Sequence, residues 1–252
     1  MEKYSTFFSG AFLKAITNAS FLNGGNYLAA IADDVNIDFL RDFHTIIAGS
    51  DKDDNSKIMD NIILSLAIKN NADSIEMILI DPNCYHLRKY QKLPFVRTFH
   101  SYTNDDIKVG LQVINQEIHR RLISMQESRC EIWNGKITFI YIDRLDLVIC
   151  DKENRDLLTK MIIPGRTAGI YTIATISNPD QYYFPEVSPL FPTRICLRTV
   201  SEKMSERVIG TNKAVWLMQG QAIIKRQGRI KLFEPAIIPD TEINEFLSRI
   251  NI

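Results

Sequence analysis

The residues of this chain that could do chemistry are concentrated in the segment "GSDKDDNS" at 49–56, which follows a short apolar run and precedes a helical pattern. The layout is that of a phosphate-binding loop, G-x-x-x-x-G-K-[ST]. In such a loop the backbone N–H groups surround the phosphates, the lysine reaches the outer phosphates and the last hydroxyl binds Mg²⁺. Gly49 and Ser56 match the first and last positions. The spacing therefore predicts the outline of a nucleotide site.

Two positions inside this segment lack the residues that phosphate binding needs. Asp54 stands where the pattern has its second glycine, and Asn55 stands where it has lysine. Like charges about 4 Å apart repel by roughly 4 kcal/mol at a surface-like dielectric, and here acidic residues outnumber the one lysine. We expect weak nucleotide binding, with magnesium offsetting part of the repulsion. The candidate residues are Gly49, Ser50, Asp51, Lys52, Asp53, Asp54, Asn55 and Ser56.

A second candidate position is Asp143, at the end of the apolar run "ITFIYID". An apolar strand that ends in aspartate is the Walker B pattern, in which the carboxylate orients magnesium and its water. Hydrolytic members have glutamate next, whereas this chain has Arg144, which stays charged and cannot act as a base. Catalysis is therefore predicted to fail at Asp54, Asn55 and Arg144. A plain structural role for Asp143, as a cap or ion-pair partner, is equally open.

These residues need a sheet to position them, and the apolar pattern supplies one. The predicted strands are 45–48, 75–80, 137–142, 171–176 and 194–198, each with apolar residues on both parities, as in a parallel sheet buried on both faces. The predicted helices are 57–69, 105–125, 153–163 and 241–250, with Thr103 and Asp240 as caps and "PG" ending the third.

Strand–helix alternation predicts an α/β fold, a three-layer α/β/α domain of the P-loop NTPase type with a mainly parallel central sheet. We expect one domain over residues 1–252, with an extension at 1–43 and the core at 44–252. The extension and the Gly-punctuated segment near 214–238 are predicted to complete the sheet.

Composition argues against several functional classes. The formal net charge is zero, which argues against a surface that tracks nucleic acid. The four cysteines include no CxxC pair, the histidines have no ligand spacing, and no apolar run is long enough to span a bilayer. We expect reduced and mostly buried thiols, no metal site, and contact with a membrane only through a parent protein.

A proline-rich loop, "NPDQYYFPEVSPLFP" at 178–192, is the candidate binding surface. Rigid aromatic side chains are typical anchors of protein interfaces. The partner-binding candidates are Tyr182, Tyr183, Phe184 and Phe191. The alternative is that the loop only covers an edge of the sheet.

Five segments, in order along the chain, resemble sequences of the FtsK/SpoIIIE ATPases. They are "HTIIAGS", "IEMILIDPNCYHLRKYQKLPFV", "DDIKVGLQVINQEIHRRLISM", "GRTAGIYTIATISNP" and "FPTRICLRTVSEKMSERVIG". The resemblance covers almost the whole chain. "LMQGQAII" further resembles the type VII secretion branch, the EssC, YukB and EccC proteins, and the chain is most similar to their C-terminal degenerate ATPase domain.

The resemblance implies a place in a membrane-anchored secretion motor, on the cytoplasmic side of the membrane. Its expected partners are small helical-hairpin substrates with a Trp-X-Gly turn, related effectors, and neighbouring ATPase domains in a hexameric motor. Arg194 and Arg207 match family arginines that act at interfaces, with ordinary ion pairing favoured for Arg207. Ile176 falls where the family has a polar sensor.

The sequence thus favours a non-catalytic, degenerate ATPase domain that serves substrate recognition and regulation, without a cofactor. Two alternatives remain open. One is a low-affinity or weakly hydrolysing Mg-ATP module completed by a neighbouring domain. The other is a DNA-translocase module, which would need a basic channel.

Overall fold

The structure, a computed structural model, describes residues 7–179 and 184–250. Its helices are α1 (Gly10–Thr17), α2 (Ala19–Leu22), α3 (Phe39–Asp42), α4 (Lys52–Lys69), α5 (Asn104–Ser128), α6 (Leu145–Val148), α7 (Lys152–Thr167), α8 (Phe184–Val187), α9 (Glu202–Ile209) and α10 (Asp240–Ile250). Its strands are β1 (Leu28–Ala32), β2 (Val35–Asp38), β3 (Thr45–Ala48), β4 (Ile75–Asp81), β5 (Val96–Ser101), β6 (Ile137–Ile142), β7 (Ile170–Ile176), β8 (Thr193–Cys196), β9 (Ala222–Arg226) and β10 (Arg229–Phe233). Single turns of 3-10 helix lie at Leu87–Tyr90, Ser188–Leu190 and Asn212–Trp216.

The central sheet has eight strands in the order β10-β9-β8-β3-β7-β6-β4-β5. The six strands from β8 to β5 run parallel, and β9 and β10 are antiparallel additions at one edge. Alternate strand residues enter two separate cores: Ile46 and Ile140 pack with α5 and α7, whereas Ile47 and Phe139 pack under α4. The predicted three-layer fold with a mainly parallel sheet is confirmed.

The five predicted strands all lie in this sheet with small changes at their ends. Sequence reasoning missed β5, because Val96–Ser101 is an edge strand with little apolar alternation. The segment 222–233 joins the sheet as expected. The extension does not: β1 and β2 form a separate two-stranded antiparallel sheet, so the prediction that residues 1–43 complete the main sheet was wrong.

The β1–β2 hairpin is held over α4 by polar side chains of that helix. Ser65 Oγ accepts the Ala30 N–H at 3.1 Å and donates to the Ala30 carbonyl at 3.2 Å. Asn61 Nδ2 donates to the Ile31 carbonyl at 3.5 Å. The helix is therefore buried on its polar face as well as its apolar face, which its amphipathic pattern did not indicate.

Two helices differ from their predicted bounds for local reasons. Helix α4 begins at Lys52, well before the predicted start at 57, because Asp51 caps it. Helix α7 continues through Pro164 to Thr167, so the predicted stop at "PG" was wrong. Gly165 serves close packing instead: a Cβ there would lie 3.2 Å from the Ile170 carbonyl oxygen and 3.5 Å from Ile118 Cδ1. The predicted Thr103 cap is confirmed, since its Oγ1 accepts the Asp106 N–H at 3.1 Å.

The four cysteines form no disulfide. Cys196 is buried, and burial raises the pKa of its thiol to about 12. Cys130 and Cys150 are exposed, so the expectation of mostly buried thiols was wrong for these two. Within the described part of the chain, no helix is both long and apolar enough to cross a membrane.

Candidate functional site

The phosphate-loop segment, residues 49–56, lies at the carboxyl end of β3, where open α/β sheets bind their ligands. Only Gly49, Ser50 and Asp51 separate the strand from α4. The turn is tied to the segment after β8, because the Ser50 N–H donates to the Arg198 carbonyl at 3.1 Å and Ser50 Oγ accepts the Val200 N–H at 3.0 Å. The polar segment that was expected to precede a helix at 57 is therefore a short, anchored turn followed by the first turn of α4.

Asp51 occupies the position that a phosphate needs. Its Oδ1 accepts the backbone N–H of Asp53 at 2.8 Å and that of Asp54 at 3.4 Å. These are helix-terminal N–H groups of the kind that cradle phosphate in a working loop. The chain's own carboxylate thus satisfies the donors, and it would repel an incoming anion.

Asn55 fills the place of the missing lysine and points inward. Its side chain is fully buried, and its Nδ2 donates to the carbonyls of Gly49 at 3.0 Å and Ile176 at 3.2 Å. It therefore joins the carboxyl ends of β3 and β7. Gly49 is needed for this packing, since a Cβ there would lie 2.7 Å from Asn55 Oδ1 and 2.9 Å from Leu197 Cβ.

The remaining residues of the segment make local contacts. Ser56 Oγ donates to the Lys52 carbonyl at 3.0 Å, the bond of a serine within a helix. Lys52 Nζ lies 5.6 Å from the centre of the Tyr85 ring, and Asp54 pairs with Lys57 at 2.8 Å. None of these contacts prepares a magnesium ligand or a phosphate-binding cation.

Asp143 lies directly after β6, buried and hydrogen-bonded. Its Oδ1 accepts the Thr175 hydroxyl at 2.7 Å, and its backbone N–H donates to the Ile80 carbonyl at 2.9 Å. Burial raises the pKa of its carboxyl, against the opposing effects of the His86 charge and the Thr175 hydrogen bond. Asp143 therefore follows β6, as the Walker B pattern predicts, but its carboxylate is buried and hydrogen-bonded to Thr175.

Arg144, which follows Asp143, is held by contacts within the chain. It adopts a left-handed backbone with φ of 58°, and its guanidinium pairs with Asp146, with Nη2 to Oδ2 at 2.7 Å. Its backbone N–H donates to the same Thr175 hydroxyl at 2.9 Å. Asp146 therefore pairs with the arginine that stands where the hydrolytic pattern has glutamate.

A buried charge cluster beside the site was missed by sequence reasoning. Asp60 of α4 accepts hydrogen bonds from His86 Nε2 at 2.7 Å, Tyr90 OH at 2.6 Å and Lys89 Nζ at 3.0 Å. Burial lowers the pKa of His86, but the Asp60 charge outweighs it and the pKa is raised. His86 also feels the charge of Asp143. The sequence did contain one indication of this cluster: Asp60 lies within the apolar stripe of a predicted helix, and a buried carboxylate requires a partner.

The two candidate interface arginines bond within the chain. Arg194 donates to three backbone carbonyls, those of Phe191 at 3.0 Å, Val208 at 3.0 Å and Ser188 at 2.8 Å. Its guanidinium is thus bonded within the fold, and its role at an interface stays a prediction. Arg207 donates to the Pro179 carbonyl at 3.4 Å. Ile176 is buried, and its contribution to the site is the carbonyl that binds Asn55.

The four aromatic candidates of the loop at 178–192 fall into two groups: two lie in the core, and two lie outside the described residues. Phe184 and Phe191 are fully buried among α7, α8 and β8 residues, so the prediction that they bind a partner was wrong. Tyr182 and Tyr183 lie outside the described residues.

Large exposed apolar side chains occur instead at Val200, Trp216 and Met218. A groove of 500 Å³, lined in part by Ser50, Asp51, Val200 and Met218, remains beside the phosphate-loop segment.

Within residues 7–179 and 184–250, no three His, Cys, Asp or Glu side chains are grouped so that they could hold a metal ion. His86 and His44 are buried, and His100 pairs with Asp106 at 3.1 Å between Nδ1 and Oδ1. Three of the four histidines therefore have structural partners or core positions rather than a ligand arrangement.

Two comparisons with known sequences both find similarity to FtsK-type proteins. The sequence pattern of the FtsK/SpoIIIE family matches residues 28–140. The "DNA translocase FtsK" of Corynebacterium glutamicum is 22% identical over 235 residues, which cover 79% of this chain and 25% of that protein. The chain thus spans about a quarter of the length of the curated relatives it matches.

Several solved structures share the fold. The conjugation coupling protein TcpA of pCW3, solved with ATPgS, superposes with a TM-score of 0.74 at 19% identity, over 88% of this chain and 68% of that chain. EssC (ATPases 2 and 3) from Geobacillus thermodenitrificans gives 0.72 at 16% identity, over 86% and 45%. Thermomonospora curvata EccC (ATPases 2 and 3), in complex with a signal sequence peptide, gives 0.67 at 14% identity, over 83% and 40%.

Proposed function

Since residues 28–140 match the FtsK/SpoIIIE family and the fold resembles the ATPase domains of EssC, we propose that this chain is a non-catalytic member of that group. The observation that carries the proposal is the Asp51 carboxylate on the N–H groups of Asp53 and Asp54. A nucleotide phosphate would have to displace this carboxylate and approach Asp53 and Asp54 as well. Two like charges about 4 Å apart repel by roughly 4 kcal/mol at a surface-like dielectric.

Hydrolysis is disfavoured for separate reasons on the opposite wall of the site. A catalytic carboxylate would have to stand beside Asp143, where this chain has Arg144 bound to Asp146. Asp143 itself already accepts the Thr175 hydroxyl. Nucleotide binding and hydrolysis therefore fail through different residues, and restoring one does not restore the other.

We assign the domain to substrate recognition and regulation in a type VII protein secretion motor. The fold shared with EssC and EccC supports this role, as does the EccC structure in complex with a signal sequence peptide. In this proposal the partners are helical-hairpin substrates and effectors and the neighbouring ATPase domains of a hexameric motor. The parent protein would supply the membrane anchor that holds the domain on the cytoplasmic side.

A calorimetric titration of the chain with Mg-ATP tests the non-catalytic proposal. We expect no binding in the micromolar range and no phosphate release. The matched variant is Asp54→Gly with Asn55→Lys, which restores the two missing residues of the phosphate loop. Because Asp51 still caps α4, we expect this variant to gain affinity only after Asp51→Ala is added. Micromolar binding by the unchanged chain would contradict the proposal.

The groove of 500 Å³ beside residues 49–56 favours one alternative, a low-affinity Mg-ATP module completed by a neighbouring domain. The similar fold of TcpA solved with ATPgS supports the same alternative. A titration with millimolar nucleotide in the presence of the partner domain separates the two, since only a completed module would then bind nucleotide and release phosphate. A DNA-translocase role, suggested by the FtsK relatives, has less support in a chain of zero net charge.

A further inference from the structure

A second pocket lies at the opposite end of the sheet from the phosphate-loop segment. Its volume is 230 Å³, and it is formed by the residue before β1, helix α3, the loop at 130–136, the end of α7 and the starts of β6 and β7. Small-molecule sites usually measure about 300–1,000 Å³. This pocket is smaller than that range, so its size suits one or two side chains of a protein partner.

The walls of the pocket are apolar and aromatic. Ile132 is 80% exposed and Leu40 is 52% exposed, and they flank the rings of Tyr27, Trp133 and Tyr171. Burial raises the pKa of Tyr171 to about 12, so its phenol stays neutral. Exposed apolar side chains around a cavity mark interaction surfaces more often than isolated ones do.

Trp133 is fixed in place before any partner arrives. Its Nε1–H donates to the Lys136 carbonyl at 3.0 Å, and the Arg121 guanidinium lies 4.8 Å from its ring centre. Two glycines leave room for the indole: a Cβ would lie 2.5 Å from Trp133 at Gly135 and 2.6 Å from it at Gly169. A preorganised aromatic wall lowers the entropy cost of binding.

Arg166 is the charged residue of the pocket lining, and its guanidinium stacks on an aromatic ring. Its Cζ lies 3.6 Å from the centre of the Phe43 ring. Phe43 has a left-handed φ of 53°, a strained conformation for a bulky residue, and strain of this kind concentrates at functional sites. Among residues 7–179 and 184–250, no carboxylate lies within 4.0 Å of the Arg166 guanidinium. A stacked guanidinium keeps its N–H donors in plane for a carboxylate.

From these features we propose that the pocket docks a segment of a partner protein that inserts an apolar or aromatic side chain and sets a neighbouring Asp or Glu against Arg166. The apolar side chain contacts Leu40, Ile132 and Trp133, and the carboxylate pairs with the guanidinium. The proposal rests on the proposed recognition function and adds to it the place and chemistry of recognition.

Short fluorescein-labelled peptides, each tested with a twin, provide the probe. Each peptide carries one phenylalanine and, at a spacing varied across the set, one glutamate in an alanine–serine background; its twin has glutamine instead. We expect one spacing to bind the chain about tenfold tighter than its twin, measured by fluorescence polarisation.

Two variants assign the contacts separately. Arg166→Gln should abolish the difference between twins, whereas Ile132→Ser should weaken both twins alike. Arg249→Gln is the matched control, because Arg249 also lies over a phenylalanine ring, 4.9 Å from Phe7, but is paired with Glu245. It should leave both affinities unchanged, and thermal melting should show that all three variants are folded.

Equal binding of the twins at every spacing would overturn the proposal, and so would a difference that persists in Arg166→Gln. Arg166-dependent binding of a labelled DNA duplex, without any preference between peptide twins, would identify a nucleic-acid surface instead and would also overturn it. These failures are distinguishable from failure of the proposed function, because the Mg-ATP titration reports on the other end of the sheet.

Discussion

Asp51 and Asn55 both form hydrogen bonds within the chain, in the segment where a working phosphate loop binds nucleotide. Asp51 accepts the helix-terminal N–H groups, and Asn55 bonds the carbonyls of Gly49 and Ile176. Asp51 supplies the acceptor that a phosphate oxygen provides in a working loop, and Asn55 joins the carboxyl ends of β3 and β7. The local fold is therefore stable without nucleotide.

Replacing Asn55 by alanine tests this structural role. The change removes two buried hydrogen bonds, and a buried polar group left unsatisfied costs about 1–3 kcal/mol. We expect the free energy of unfolding in urea to fall by about that amount. Ser56→Ala is the control: its hydroxyl bonds only within the helix, so the loss should stay within about 0.5 kcal/mol. Equal losses for the two variants would contradict the assignment.

Among the elements, α4 has the most unusual environment. It carries the phosphate-loop segment at its start, the central sheet on one side and the β1–β2 hairpin on another. A helix covered on two sides needs polar partners on both. Asn61 and Ser65 supply them towards the hairpin, and Asp60 supplies them towards His86 and Tyr90.

Ser65→Ala should loosen the attachment of the hairpin. Both the N–H and the carbonyl of Ala30 lose their side-chain partner in a buried place, which costs about 1–3 kcal/mol. We expect a corresponding loss of unfolding free energy and faster amide hydrogen exchange in β1. Ser128→Ala, at the exposed end of α5, removes an ordinary helical hydroxyl contact and should change neither. Unchanged exchange in β1 after Ser65→Ala would show that the hairpin is held by apolar packing alone.

The whole molecule carries two buried histidines with opposite pH responses. Burial lowers the pKa of His44 to about 4, so folding favours its neutral form and stability falls as pH drops from 6.5 towards 4. His86 has the reverse behaviour. Because its pKa is raised in the folded state, its pair with Asp60 stabilises the fold fully below pH 6.5. This stabilisation is lost as the pH rises through the pKa of folded His86, since the imidazole then loses its charge. Stability from these two groups is therefore greatest near pH 6.5.

Variants at the two histidines should flatten opposite sides of the pH profile. Urea unfolding between pH 4.5 and 9 should show that His86→Gln removes part of the alkaline decline and that His44→Gln removes part of the acidic decline. Each group contributes a slope of at most about 1.4 kcal/mol per pH unit. An alkaline decline that is identical in wild type and His86→Gln would contradict the role given to the His86–Asp60 pair.

The two ends of the sheet have different chemistry in the assembled molecule. At the carboxyl end, where P-loop folds bind nucleotide, Asp51, Asn55 and Asp143 are hydrogen-bonded within the chain beside a groove of 500 Å³. The opposite end presents an aromatic pocket with one carboxylate-seeking guanidinium, Arg166. The proposed loss of nucleotide binding and the proposed docking of a protein segment therefore concern opposite ends of the sheet and can be tested separately.

The sequence by itself determined the fold class, the strands that carry the core and the residues missing from the phosphate loop. These depend on local patterns, such as the apolar run Ile137–Ile142 and the spacing from Gly49 to Ser56, which are visible in the sequence alone. Phe184 and Phe191 were assigned wrongly because an aromatic loop looks the same whether its rings face solvent or core.

Only the tertiary structure decided which distant residues complete each site. Asn55 meets Ile176, Asp60 meets His86, and Arg166 lies on Phe43 beside Trp133. Each pair comes together because parallel strands bring separate crossover connections to the same edge of the sheet. Their contacts depend on side-chain directions in a close-packed interior, and no periodicity along the chain encodes those directions.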